Sequence, residues 1–98
     1  MVIVAIVTVR RAELDSFRSF ETLAARVMAE HGGRIERNVV ADDGVSETLT
    51  EIHLVRFPDE AAFAAYRASP KLVAAQALRE ISVLQTTVFV GEDGPLYG

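Results

Sequence analysis

The chain has no cysteine, no tryptophan, only three prolines and no cluster of basic residues. Without cysteine there is no disulfide, no thiolate nucleophile and no cysteine-ligated metal or iron–sulfur centre. Acidic residues outnumber basic ones by fourteen to ten, for a formal charge of −4, and the Lys and Arg residues are scattered along the length. A nucleic-acid backbone therefore meets no basic footprint, and nucleic acid is not expected as a partner. Long apolar runs are missing as well. The most apolar stretch, Val2 to Val9, is too short to span a bilayer and lacks the basic leader and small-residue cleavage site of a signal peptide. The chain reads as soluble and cytoplasmic, with no membrane partner.

What remains is the composition of a folded domain. Half of the 98 residues are hydrophobic and 24% are charged, well away from the low-hydrophobicity regime of disordered chains. One core suffices at this length. A single domain is expected over residues 1–91, followed by a polar tail, 92–98, that is either disordered or laid across a partner through Leu96 and Tyr97.

Val2 to Val9 is nearly continuous and β-branched, as in a central strand covered on both faces. From Ala12 to His31, Leu14, Phe17, Phe20, Ala24, Val27 and Met28 recur at three- and four-residue steps, with Glu13, Asp15, Arg18, Glu21 and Arg26 between them. This spacing predicts one amphipathic helix, stopped by Gly32-Gly33. Strands are expected over Arg34–Ala41 and Thr48–Phe57, joined through Asp42-Asp43-Gly44 as a hairpin. Asp59 reads as the N-cap of a helix over Glu60–Ala68, and Ser69-Pro70 as the cap of a second piece reaching about Leu78. Ser82–Val90 reads as the last strand. The order is βαββαβ, an α+β ferredoxin-like domain whose four-stranded antiparallel sheet carries its helices on one face. The strands hold apolar residues on both alternating faces, so the second face needs a cover. A second copy of the sheet is the economical one, and a homodimer is expected.

Two blocks carry a family likeness. His31-Gly32-Gly33-Arg34, then Leu54 to Phe63 (Leu-Val-Arg-Phe-Pro-Asp-Glu-Ala-Ala-Phe) and Tyr66-Arg67-Ala68-Ser69-Pro70, resemble the dimeric α/β-barrel superfamily, and within it the family catalogued as domain of unknown function thirteen-thirty. The resemblance implies a ferredoxin-like protomer whose sheet pairs with a second to form a barrel. The same plan is used by small antibiotic-biosynthesis monooxygenases, muconolactone isomerases and haem-handling enzymes, so it implies no single activity. This chain departs from the haem-degrading relatives in having no tryptophan. Lys71-Leu72-Val73 follow Ser-Pro where the family has a tyrosine.

Among chemistry-bearing residues, His53 stands out as a mid-strand acid or base, with Glu51 two residues earlier on the same face to orient its imidazole. The plainer alternative is a half-buried histidine hydrogen-bonded within the dimer interface. His31 is a second candidate ligand or base, although a helix C-terminus already accounts for it. The two histidines lack the short spacing of a metal motif, so no metal and no cofactor are expected. Arg37 shares a strand face with Ile35 and Val39 and could receive a carboxylate, or pair with Glu51 or Glu36. Arg67 and Arg79 read as solvated. Phe17, Phe20, Phe63 and Tyr66, with Phe57 and Phe89, are core aromatics able to line a pocket, and the Tyr66 hydroxyl could serve a ligand. Two classes of function stay open. One is a small-molecule-binding dimer for an apolar or aromatic metabolite, working without a cofactor as a monooxygenase- or isomerase-like enzyme through His53. The other is a non-catalytic dimeric interaction or assembly module.

Overall fold

In the computed structural model, which describes residues 1–98, the chain runs β1 (Val2–Arg10), a single 3₁₀ turn, α1 (Leu14–Glu30), β2 (Arg34–Ala41), β3 (Thr48–Arg56), α2 (Glu60–Arg67), α3 (Pro70–Ala74), α4 (Gln76–Ser82) and β4 (Val83–Gly91). The four strands form one antiparallel sheet in the order β2-β3-β1-β4. The expected ferredoxin-like plan is therefore present, with β1 central. No helix is long and apolar enough to cross a membrane.

The helices cover one face only. On α1 the buried residues are Phe17, Phe20, Ala24, Val27 and Met28, the stripe that three- and four-residue spacing produces. They pack on alternate strand residues, among them Ile3, Val7 and Val9 of β1 and Leu49 and Val55 of β3. Burying each of the larger side chains contributes about 1.5–3 kcal/mol. The core divides into two apolar clusters, one around Phe17, Val7, Val9 and Leu49 and a larger one around Phe20, Val27, Val55 and Phe57. Along β3 the residues separating Leu49 from Val55 on this face are Glu51 and His53, 6% and 5% exposed.

The opposite sheet face is bare in the protomer. Strand register places Val4, Ile6, Ile52 and Leu54 on it, beside Val39 and Phe89, which are 38% and 58% exposed. β1 is thus covered on one face by the chain's own helices and half-exposed on the other. Phe89 belongs to this bare face, not to a pocket, because it pairs with Val4.

Three local departures have physical causes. The helical return between β3 and β4 is in three pieces and not two, because α3 closes at Ala75 and α4 then continues to Ser82, past the expected end at Leu78. Asp59 is the N-cap of α2, its Oδ1 accepting from the Ala62 amide at 2.8 Å. Ser69 makes no such side-chain bond. Pro70 fixes the start of α3 instead, and the Ser69 carbonyl accepts from the Val73 amide at 3.0 Å. Finally, β2 carries a bulge: Ile35 pairs with Val55, yet Arg37 pairs with Leu54, leaving Glu36 as the extra residue. A bulge reverses the side-chain alternation beyond it. Ile35 consequently faces the helices, whereas Arg37 and Val39 share the bare face and Asn38 turns toward His53.

Candidate functional site

A cavity of about 510 Å³ lies between the helices and the sheet, and its two ends differ in chemistry. One end is an aromatic wall. Phe57, 1% exposed, packs against Phe63 and Tyr66 with ring centroids 5.3 and 5.2 Å apart, and the Arg67 guanidinium lies 5.5 Å over the Phe63 ring. These tilted and cation–π arrangements hold the rings in place. The Tyr66 hydroxyl makes no hydrogen bond within the protein, and burial, with the nearby Glu21 carboxylate, pushes it up to about 12.

The other end is ionisable. His53 Nε2 and Glu51 Oε1 are 2.9 Å apart, and the Asn38 amide donates to that same Oε1 at 3.0 Å. With Glu51 as a carboxylate already accepting from Asn38, His53 Nε2 is the donor of this contact, and in the neutral ring Nδ1 is then the accepting nitrogen. Nδ1 faces Glu21 Oε2 at 3.8 Å, beyond hydrogen-bond range. Phe17 stacks on the imidazole, ring centroids 6.5 Å apart. Glu21 comes from α1, where burial pushes its carboxyl upward and Glu51 adds to the effect, while His53 and Arg79 oppose it. Across the cavity, Arg79 on α4 donates to the Thr86 hydroxyl on β4. Glu21, His53, Arg79 and Thr86 all line the cavity, and Glu51 and Asn38 support His53 from behind. No group of three or more metal-ligating side chains converges anywhere in the chain.

The model of the family described as "Domain of unknown function (DUF1330)" matches residues 3–92, which takes in every element of the fold. The chain belongs to the DUF1330 family. No curated protein matches it. Among solved structures, this DUF1330 protein is similar to SnoaB of Streptomyces nogalater, described as a cofactor-independent oxygenase, with 15% identity, 95% of this chain and 94% of that chain covered, and a TM-score of 0.63. It is also similar to a protein described as an antibiotic-biosynthesis monooxygenase from Bacteroides thetaiotaomicron, at 17% identity, 99% and 90% coverage and a TM-score of 0.70. RPA0582 of Rhodopseudomonas palustris, a protein of unknown function, gives 13% identity, 95% and 84% coverage and a TM-score of 0.72. At these identities the likeness is one of fold, the dimeric α+β-barrel type of ferredoxin-like domain.

Within this DUF1330 protein, the candidates read from the sequence separate. His53, Tyr66 and Phe63 line the cavity, and Glu51 and Phe17 touch His53 from outside it. His53 lies on the helix-covered face, away from the bare face where a sheet-to-sheet interface would form. His31 occupies the C-cap of α1, half-buried and outside the cavity. Arg37 is exposed on the bare face, because the Glu36 bulge turns it away from Ile35. It pairs with neither Glu51 nor Glu36, and Glu36 is taken by Arg56 at 2.7 Å. Arg79 is half-buried and bonded instead of solvated.

Glu21, Asn38 and Arg79 were not singled out by sequence reasoning. Glu21 had a signal, since it stands four residues after Phe17 and three before Ala24, inside the apolar stripe. Arg79 had one too, at helical spacing from Leu72, Ala75 and Ser82, all buried. Asn38 had none, because its direction depends on the bulge.

Proposed function

We propose that this protein binds a small apolar or aromatic molecule in the cavity and that His53 exchanges a proton with it, Glu51 and Asn38 holding the ring. The observation that carries this reading is the buried His53–Glu51 pair opening on a cavity that is mostly apolar and has an aromatic wall at its other end. A base fixed this way gains from desolvation and from a set tautomer. Nδ1, without a hydrogen-bond partner in the protein, is the nitrogen that meets the ligand. Proton removal from an activated ketone or phenol gives a delocalised anion. That chemistry serves an isomerase directly, and a delocalised anion of this kind can also react with dioxygen without a cofactor. The working unit in this reading is a homodimer, its bare faces paired through Val4, Ile6, Ile52, Leu54 and Phe89.

The test is isotope exchange. In deuterated buffer, 2-tetralone, a bicyclic enolisable ketone, is followed by NMR with the wild-type protein and with His53→Gln. The wild type accelerates exchange next to the carbonyl. His53→Gln loses about a hundredfold or more of that acceleration, within the range general-base removal produces, and still binds the ketone. Equal exchange rates would sink the proton-transfer role.

The second reading, a non-catalytic assembly module, draws support from the same bare face. It leaves the ionisable layer unexplained.

A further inference from the structure

We propose that Arg79 binds an anionic oxygen of the molecule held in the cavity, so that the preferred ligands are carboxylates, phenolates or enolates on an aromatic-sized apolar body. This rests on the reading of the cavity as a small-molecule site and names its ligand class.

Three of the other eight arginines are paired with acids; of the five that are not, only Arg67 also lines the cavity, and it is exposed where Arg79 is half-buried. Arg11, Arg34 and Arg56 each have a carboxylate within 4 Å, namely Asp42, Glu36 and the pair Glu36 and Asp93. Arg79 is more enclosed than Arg34, lines the cavity and has no carboxylate within that distance. Its one protein acceptor is the Thr86 hydroxyl on β4, reached through Nη2. Nε and Nη1 have none. The Thr86 bond uses one of the two Nη2 protons, so one face of the fork, Nε with Nη2 or Nη1 with Nη2, keeps two parallel donors, the arrangement that receives a planar oxyanion.

The surrounding charges fit an anion. Arg67 stands on the same helical wall, over Phe63. Of the acids that face the cavity region, Glu51 is occupied by His53 and Asn38. Glu21 lies outside ion-pair distance of Arg79, and burial favours its neutral form. The aromatic wall supplies the surface for the rest of the ligand.

Two matched probes test this, 2-naphthoate and its neutral analogue 2-naphthamide, titrated by calorimetry into the wild type, Arg79→Gln and Thr86→Val. The wild type prefers the carboxylate. Arg79→Gln weakens naphthoate binding about ten- to a hundredfold, the effect of losing a charge-assisted hydrogen bond, and leaves naphthamide within about twofold. Thr86→Val, which frees the fork without removing its charge, weakens naphthoate severalfold and keeps the inference testable should Arg79→Gln not fold. If the wild type binds both probes alike, or the variants keep its preference, the role of Arg79 is wrong and the cavity reading stands. If neither probe binds, both fall.

Discussion

Replacing Gly33 with alanine should damage the cavity without touching a polar group. Gly33 follows Gly32, whose φ of +74° is the left-handed residue that ends α1, but Gly33 itself needs no unusual backbone. Its constraint is contact. A Cβ built there would stand 2.5 Å from Phe57 Cζ and 2.7 Å from Cδ1, about an ångström inside normal carbon–carbon separation. The ring cannot simply swing aside, because Phe57 is 1% exposed and braced by Phe63 and Tyr66. Overpacking of this kind costs about 1–3 kcal/mol, or a fall in Tm of about 4–24 °C for a domain of this size. Thermal and urea unfolding, at matched protein concentration because assembly shifts Tm, measure it. Phe57→Leu is destabilising alone but makes room, so the double variant should be more stable than the two separate losses predict, with a coupling of about 0.5–3 kcal/mol. A Gly33→Ala variant as stable as the wild type, or strict additivity with Phe57→Leu, would refute the argument.

The half-buried acid on α1 gives a pH-dependent expectation. Because the Glu21 carboxyl is raised above its ordinary 4.5 in the folded protein, folding favours its protonated form, and stability falls as pH rises from about that value through the folded one, by at most about 1.4 kcal/mol per pH unit for one proton. Glu21→Gln removes this loss, so urea midpoints of the variant should exceed those of the wild type near pH 7 and converge toward them near pH 4, whereas parallel curves would exclude it. In a Tyr97→Phe background the sole remaining tyrosine is Tyr66, and its tyrosinate absorbance should appear with a midpoint of about 12. A midpoint at the ordinary 10.0 would mean that the hydroxyl is open to water.

The fold was legible because its signals are local and repeated. The α1 stripe, the Gly32 stop, the Asp59 cap and the alternation on β3 each follow from short-range chemistry, and each sits where that chemistry places it. Half of the site was legible for the same reason: Glu51 and His53 share a strand face by simple alternation. The rest failed at irregularities. One extra residue at Glu36 moved Arg37 to the bare face and brought Asn38 to Glu51. A break at Ala75 hid the continuity of a stripe that carries Arg79 inward. Glu21 was obscured by habit, since a carboxylate on a helix is usually solvated, although its position in the stripe pointed inward.

The ionisable layer bears on which reading of function is the stronger. Glu51 and His53 fill two consecutive inward positions on β3 between Leu49 and Val55, and Glu21 fills the matching position on α1 between Phe17 and Ala24. Aliphatic side chains there would fuse the two core clusters, each contributing about 1.5–3 kcal/mol. Buried ionisable groups instead cost desolvation that their pairing only partly returns. A domain that served only to assemble through the bare face could take the aliphatic alternative without loss, because the layer does not touch that face. On the proposed reading a second copy of the chain covers the bare face. The same reading gives the layer a use, since a molecule with an apolar body and an exchangeable proton is what the aromatic wall and His53 together suit.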